Sequence, residues 1–329
     1  MQHRIVYGCP NSNTPSGGVK VIYKHAALLN AMGTPAFVWH PGDPDFRCNW
    51  FEHDTPTLRD DELSPSTDLI VLPEIWASSH VEIFKRQGFK IGIYVQNAYM
   101  THVNLSPDRP DAILKAYQDA DIILSISDDT SAYIRDILGV SDEKIILQRY
   151  SIDHQIFKPA DKSKVITYMP RKMGQHSARV ISALSSLLPT DWSILPIDNM
   201  NENQVASALS NSIIFLAFSE FEGLPVPPVE AALCGNIVIG YHGQGGKEYW
   251  NKPNFINIDQ GDIRNFIAKT LETIKIVEHG SIPILSINTG IINLAEKFSR
   301  NNEIKFIQKF NDRAQEKIEK RKWFLKIMS

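Results

Sequence analysis

"SEFEGLPVPPVEAALCGNIVIGY", residues 219–241, sets Glu222 and Glu230 on either side of a stiff segment that holds three prolines and one glycine. Upstream, "SIIFLAFS" reads as a buried strand ending at the carboxyl edge of a parallel sheet, the usual ligand position in open α/β folds. Pro227 and Pro228 suit the first positions of a helix and Gly235 its end, so "PVEAALC" predicts a short helix, followed by the strand "NIVIGY". The amides around Leu224 to Val229, with the helix dipole, favour an anion such as a diphosphate. Glu230, in the first turn, could accept the two vicinal hydroxyls of a ribose. Glu222, on the preceding loop, could reach hydroxyls on whatever the diphosphate carries. Acidic residues near helix N-termini are also common for the sake of the dipole alone, so the spacing by itself leaves a structural role open.

Outward from this segment, strands and helices alternate in two runs. The first opens with "RIVYGC" (4–9), the polar loop "PNSNTPSGG", and a helix whose apolar residues Val21, Ile22, Ala26, Leu28 and Leu29 recur at helical spacing up to Gly33. The stretch 41–57 has no period and reads as a long loop. Strands "TDLIVLPEI", "KIGIYVQN" and "DIILSIS" then alternate with helices. The last helix, "DDTSAYIRDILG", has Asp128 or Asp129 as candidate N-cap and Gly139 past its end. "RYSIDHQIFKPADKSK" (149–164) is the linker candidate, after which the alternation restarts with "VITYMP". Asn201 and Gln204 form a capping-box pattern. These runs predict an α/β chain of two Rossmann-like domains with mostly parallel sheets, facing each other across a cleft. The expected boundaries are 1–155, 156–305, and a helical tail over 306–329 that packs back toward the first domain.

Composition narrows the function classes. The chain has 329 residues, a formal net charge of -3 and 22% charged residues, which gives no general attraction to nucleic acid. Three cysteines, Cys9, Cys48 and Cys234, lack CxxC spacing and indicate neither a disulfide framework nor a zinc site. No apolar run reaches membrane-span length and no signal-peptide core is present, so a cytoplasmic location is expected. GxGxxG is absent and no acidic residue ends the strand "FVWH", which argues against a nicotinamide enzyme.

The segment 219–241 resembles the Glu-x7-Glu signature of family 4 of the retaining glycosyltransferases, which have the GT-B fold. The resemblance runs along most of the chain, through "SGGVKVIYKHAALL", the stretch 120–159, "GGKE" after the next strand, and the closing segments "DQGDIRNFIAKTLETI" and "AEKFSRNNEIKFIQKF". It implies a nucleotide-sugar donor (UDP-, GDP- or dTDP-linked), a saccharide or lipid-linked acceptor, and neither cofactor nor metal. Polysaccharide biosynthesis is a setting implied by family habit. By this resemblance Glu230 holds the donor ribose. Glu222 and the backbone of Gly223, Leu224, Pro225 and Val226 face the donor sugar and its phosphates. Arg171 pairs with the diphosphate, with Lys172 as a second cation, and Gly17 and Gly18 admit the donor from the other domain. Arginine suits the phosphate because its planar donors bind two oxygens at once.

Three positions depart from the family pattern. Its lysine beyond the arginine is His176 here, and the second glycine of its signature is Pro225. Where a histidine often follows the amino-domain strand, this sequence offers Gln96 and Asn97, with His102 further on, as the acceptor or sugar side. A sugar-nucleotide epimerase on the same fold and a non-catalytic nucleotide-sugar-binding module therefore stay open as alternatives. Asp43 and Asp45 form an Asp-x-Asp in a proline-rich loop, where turn chemistry explains them better than a metal. The basic tail with Trp323, Phe324 and Leu325 offers peripheral contact with an anionic membrane, although such tails more often pack on their own protein.

Overall fold

The computed structural model describes residues 3–43, 45–280 and 284–328; for 284–286 and 321–328 this covers the backbone, so the side chains of Trp323, Phe324 and Leu325 lie outside the described residues. The chain divides into two compact units, Met1–Tyr150 with Glu303–Ser329, and Ser151–Asn302.

The first unit holds seven strands: β1 (Arg4–Gly8), β2 (Ala36–Trp39), β3 (Thr57–Leu58), β4 (Asp68–Pro73), β5 (Lys90–Val95), β6 (Ile122–Ser125) and β7 (Ile145–Leu147). They lie in the order β3-β2-β1-β4-β5-β6-β7, every neighbouring pair parallel. Four helices connect them: α1 (Gly17–Ala31), α2 (Ala77–Arg86), α3 (Ala112–Asp119) and α4 (Asp128–Asp136). Strand β4 is buried at all six positions, and from Leu69 to Pro73 it is the continuous apolar run demanded of a strand covered on both faces. Arg4 clamps Asp68 with two bonds of 2.7 Å, and Asp68 is fully buried, so this ion pair fixes β1 against β4 at their starts.

The second unit holds β8 (Val165–Tyr168), β9 (Ser193–Pro196), β10 (Ile214–Glu222), β11 (Ile237–Gln244) and β12 (Phe255–Asn257), in the parallel order β12-β11-β10-β8-β9. Its helices are α5 (Gly174–Leu187), α6 (Glu202–Asn211), α7 (Pro227–Leu233), α8 (Ile263–Glu278) and α9 (Ile284–Lys297). Ile166, Leu216, Ile239, Phe218 and Phe266 form the centre of its core. The last helix, α10 (Arg300–Met328), belongs to the first unit for most of its length. There Phe310 stacks on His25, Asn311 bonds His3, and Arg313 donates to the Glu143 carbonyl.

Each sheet has one place where the chain reverses its direction of travel across the strands. In the first unit β1 runs out to β2 and β3, then returns as β4 on the opposite side. In the second, β8 has β9 on one side and β10 on the other. A crevice opens beyond the carboxyl ends of the strands at such a switch point, because successive connections leave on opposite faces.

Local structure follows the sequence closely, with two differences. The capping box is present: Asn201 accepts from the Gln204 amide at 3.0 Å and Gln204 accepts from the Asn201 amide at 2.9 Å. The N-cap of α4, however, is Ser127, whose hydroxyl accepts from the Thr130 amide at 3.1 Å, and not Asp128 or Asp129, which fall in the first turn. A cap needs an extended backbone, and Ser127 has it (φ -149°, ψ 168°). Glu222 was expected on a loop but ends β10, because that strand continues past an irregularity between Ser219 and Glu222 and pairs again with Gln244. Residues 41–43 and 45–56 are irregular up to β3, with Asp43 and Asp45 exposed.

Candidate functional site

The switch point of the second unit gathers most of the residues singled out in the sequence. Arg171 and Lys172 lie in the turn that leaves β8, and Glu222 ends the adjacent β10. Lys172 Nζ stands 3.0 Å from Glu222 Oε2, with both side chains about a quarter to a third exposed. Arg171 is exposed, and among the described residues no carboxylate pairs with it. A half-exposed ion pair of this kind is worth under about 1 kcal/mol, so an incoming anion can displace the carboxylate at small cost. Beside the pair is a small recess lined by Met169, Lys172, Ser219, Pro227 and Pro228.

Helix α7 begins where the prolines place it, with Pro227 and Pro228 in its first two positions and Glu230 in its first turn. Gly235 follows the end in the left-handed region, φ +84°. The prolines also thin the supply of donors. Pro225, Pro227 and Pro228 have no N–H, and the Val229 and Glu230 amides already bond the Val226 carbonyl. This helix start therefore offers an anion fewer amide donors than the spacing alone implied. From behind, Lys162 Nζ donates to the carbonyls of Leu209, Ser212 and Cys234, closing the ends of α6 and α7; burial lowers its pKa to about 8.

Sequence reasoning missed how the segment 219–226 is held. A loop of two glycines and Gln244 presses directly on it: a Cβ on Gly245 would lie 1.8 Å from the Gly223 carbonyl oxygen, which no side chain can do. Gln244 itself adopts φ +69°, ψ -66°, a strained three-residue turn. Tyr249 Oη donates to the Pro225 carbonyl, so the proline that departs from the family glycine is anchored through its oxygen. The only advance signal was the density of glycine in "HGQGGKE". His176, in the family's lysine position, has its Nδ1 3.3 Å from Tyr241 Oη on β11 and lies in the first turn of α5.

The first unit brings its own candidates to its own switch point. Gly17 and Gly18 open α1, after the loop that leaves β1. Gln96, past the end of β5, donates from Nε2 to the Gly18 carbonyl at 3.1 Å. Asn97 spends its side chain on its own turn, accepting from the Tyr99 amide at 3.1 Å. His102 is exposed, between the Thr101 hydroxyl at 3.0 Å and the more distant Tyr133 Oη at 3.5 Å. Glu74, which follows β4, was not singled out by the sequence; its buried carboxylate accepts from the Asn97 amide at 3.0 Å. Among the described residues no group of three His, Cys, Asp or Glu side chains is placed to hold a metal ion, and no helix is long and apolar enough to cross a membrane.

No protein-family model matches this sequence, and no curated protein matches it either. Solved structures do. Alr3699/HepE of Anabaena, in complex with UDP, superimposes with a TM-score of 0.70 over 95% of this chain and 99% of that one, at 13% identity. The lipopolysaccharide outer core galactosyltransferase WaaB, in its apo form, gives 0.67 at 15% identity over 95% and 99%. Sucrose-phosphate synthase from Thermosynechococcus elongatus gives 0.66 at 12% identity over 94% and 98%. A likeness at such identity is one of fold, and the fold is GT-B.

Proposed function

We propose that the chain is a glycosyltransferase that moves a sugar from a nucleotide-diphosphate donor to a saccharide, lipid-linked or other acceptor, with retention at the anomeric carbon and without a metal. The observation that carries this reading is the meeting of Arg171, Lys172 and Glu222 at the switch point of the second unit, one strand end from the start of α7. Of the structures with this fold, WaaB is a galactosyltransferase by name, and Alr3699/HepE holds UDP.

In this reading the exposed Arg171 and Lys172, released from Glu222, take the donor diphosphate, and Glu230 takes the ribose hydroxyls. Glu222, freed in turn, is available to hydroxyls of the donor sugar. As the glycosidic bond to the diphosphate breaks, negative charge grows on the leaving phosphate. Two cations fixed at a strand end stabilise that charge more than they stabilise the bound donor, which is what lowers a barrier. The leaving phosphate itself receives the acceptor proton, so no side-chain base is required.

Calorimetric titration with UDP, GDP, dTDP and ADP, beside Glu230→Ala, tests the reading. One nucleotide should bind, and the variant should lose about ten- to a hundredfold in affinity, the scale of a charge-assisted hydrogen-bond pair. Arg171→Ala should lower kcat by about a hundredfold or more while moving the nucleotide Kd less. Binding of none of the four nucleotides would overturn the proposal. Conversion of the donor sugar without acceptor, read by mass spectrometry, would favour the epimerase.

A further inference from the structure

The first unit keeps a carboxylic acid where a folded protein has most reason not to. Glu74 follows the end of β4, at the switch point, and is 7% exposed. Among the described residues no cation pairs with it. The titratable groups that face it are Tyr94 from β5 and Tyr117 from α3, both fully buried and both held protonated far above neutral pH by burial. What it has instead is backbone: the Asn97 amide donates to Oε1 at 3.0 Å, and the amides of Glu74 and Gln96 also favour its charged form. Burial outweighs these amides, and its pKa stands at about 7.

The turn that Glu74 holds has a second attachment. Gln96 Nε2 donates to the Gly18 carbonyl at 3.1 Å, and a Cβ at Gly18 would be in ordinary van der Waals contact with the Gln96 side chain. A continuous path of bonds thus runs from the end of β4, through the turn after β5, to the first turn of α1. We infer that Glu74 is a positioning residue: it seats the Gln96–Asn97 turn, and through Gln96 it sets the backbone of Gly17 and Gly18. This rests on the reading of the chain as a glycosyltransferase.

The titration gives the arrangement a direction in pH. A carboxyl whose pKa is raised on burial binds more protons in the closed turn than in the open one. Between the ordinary value of 4.5 and about 7 the closed turn therefore loses stability as pH rises, and above about 7 the loss is complete. Glu74 protonated seats the turn well, and Glu74 ionised is a buried charge with amides but no cation beside it, which loosens the turn.

Hydrogen exchange read by mass spectrometry tests this without any substrate. After correction for intrinsic rates, protection of peptides covering 95–101 should fall as pH rises through that window, approaching about tenfold per unit in its steep part, and level off above it. Peptides covering 16–22 should follow the same curve. Glu74→Gln should flatten both curves, and Gln96→Ala should flatten the second while leaving the first. Should Glu74→Gln keep the native pH dependence, or should 16–22 ignore it in the native protein, the inference fails. Glu74→Asp, which keeps the charge on a shorter arm, serves if the glutamine variant does not fold, and should keep the dependence on pH with weaker protection throughout. The outcome is independent of the nucleotide titration: absence of nucleotide binding would sink the glycosyltransferase reading while the exchange curves still decide whether Glu74 controls the turn.

Discussion

The two switch points are built from opposite materials. In the second unit Arg171 is exposed and the Lys172–Glu222 pair partly so, and what holds the segment after Glu222 is backbone pressed against backbone at Gly223 and Gly245. In the first unit the glycines at the edge meet open space or a side chain, and what holds them is a set of buried polar side chains: Glu74 under the turn, His25 bonded to Tyr7, and His40 bonded to Tyr23. An edge that receives a charged ligand must leave its cations in water until the ligand arrives, so its rigidity has to come from the main chain. An edge stiffened by buried titratable groups gains directionality instead, but its stability becomes a function of pH.

The largest expected effect strikes the second edge. Gly245→Ala places a methyl group inside the Gly223 carbonyl, and relief requires the two loops to separate. A destabilisation of about 3 kcal/mol or more is expected, at the upper end for overpacking, and denaturant unfolding should show it equally at pH 5 and pH 8. A loss of less than about 1 kcal/mol would mean that the loops are not held by this contact.

Acid should single out the first edge. Burial lowers the pKa of His25 to about 3 and that of His40 to about 4, against 6.5 unfolded. The folded state thus binds fewer protons than the unfolded one below pH 6.5, so this stability is whole above that value and is lost as pH falls toward 4 and 3. Each histidine should cost about 1–2 kcal/mol between pH 7 and pH 5, opposed by Glu74, which gains over the same window, so the fall in the denaturant midpoint of the first unit is read with Glu74→Gln in place. His25→Asn should remove its share of the slope. A midpoint unchanged down to pH 5 would erase the proposed contrast between the edges.

The smallest effect concerns Lys172 and Glu222. If the pair exists to be broken by a ligand, Lys172→Ala should change thermal stability by under about 1 kcal/mol. A loss several times larger would recast the pair as structural and weaken its assignment to the donor phosphates.

Much of this was legible in advance, and where it was not the reason is specific. Prolines, glycines and the Asn201–Gln204 cap announce their positions because each constrains its own backbone or that of a residue three away. Ser127 outranked Asp128 and Asp129 as a cap through a difference of one residue in where the extended backbone ends. Glu222 stayed in β10 because β11 offered Gln244 as a partner beyond the irregularity, a long-range event with no local mark. His176 could be named as a departure from the family pattern, but its partner Tyr241 lies 65 residues away.

By itself, then, the sequence determined the alternation of strands and helices, the two parallel sheets, and the candidates in the segment 219–241. Periodicity, turn chemistry and capping act over a few residues and can be read along a line. The tertiary structure alone decided that Lys172 pairs with Glu222, that Gly245 bears on Gly223, and that Glu74 is buried without a cation beneath Gln96 and Asn97. Each of these joins residues from different strand ends. Burial, and with it the charge a group carries at a given pH, is a property of the neighbours that folding supplies.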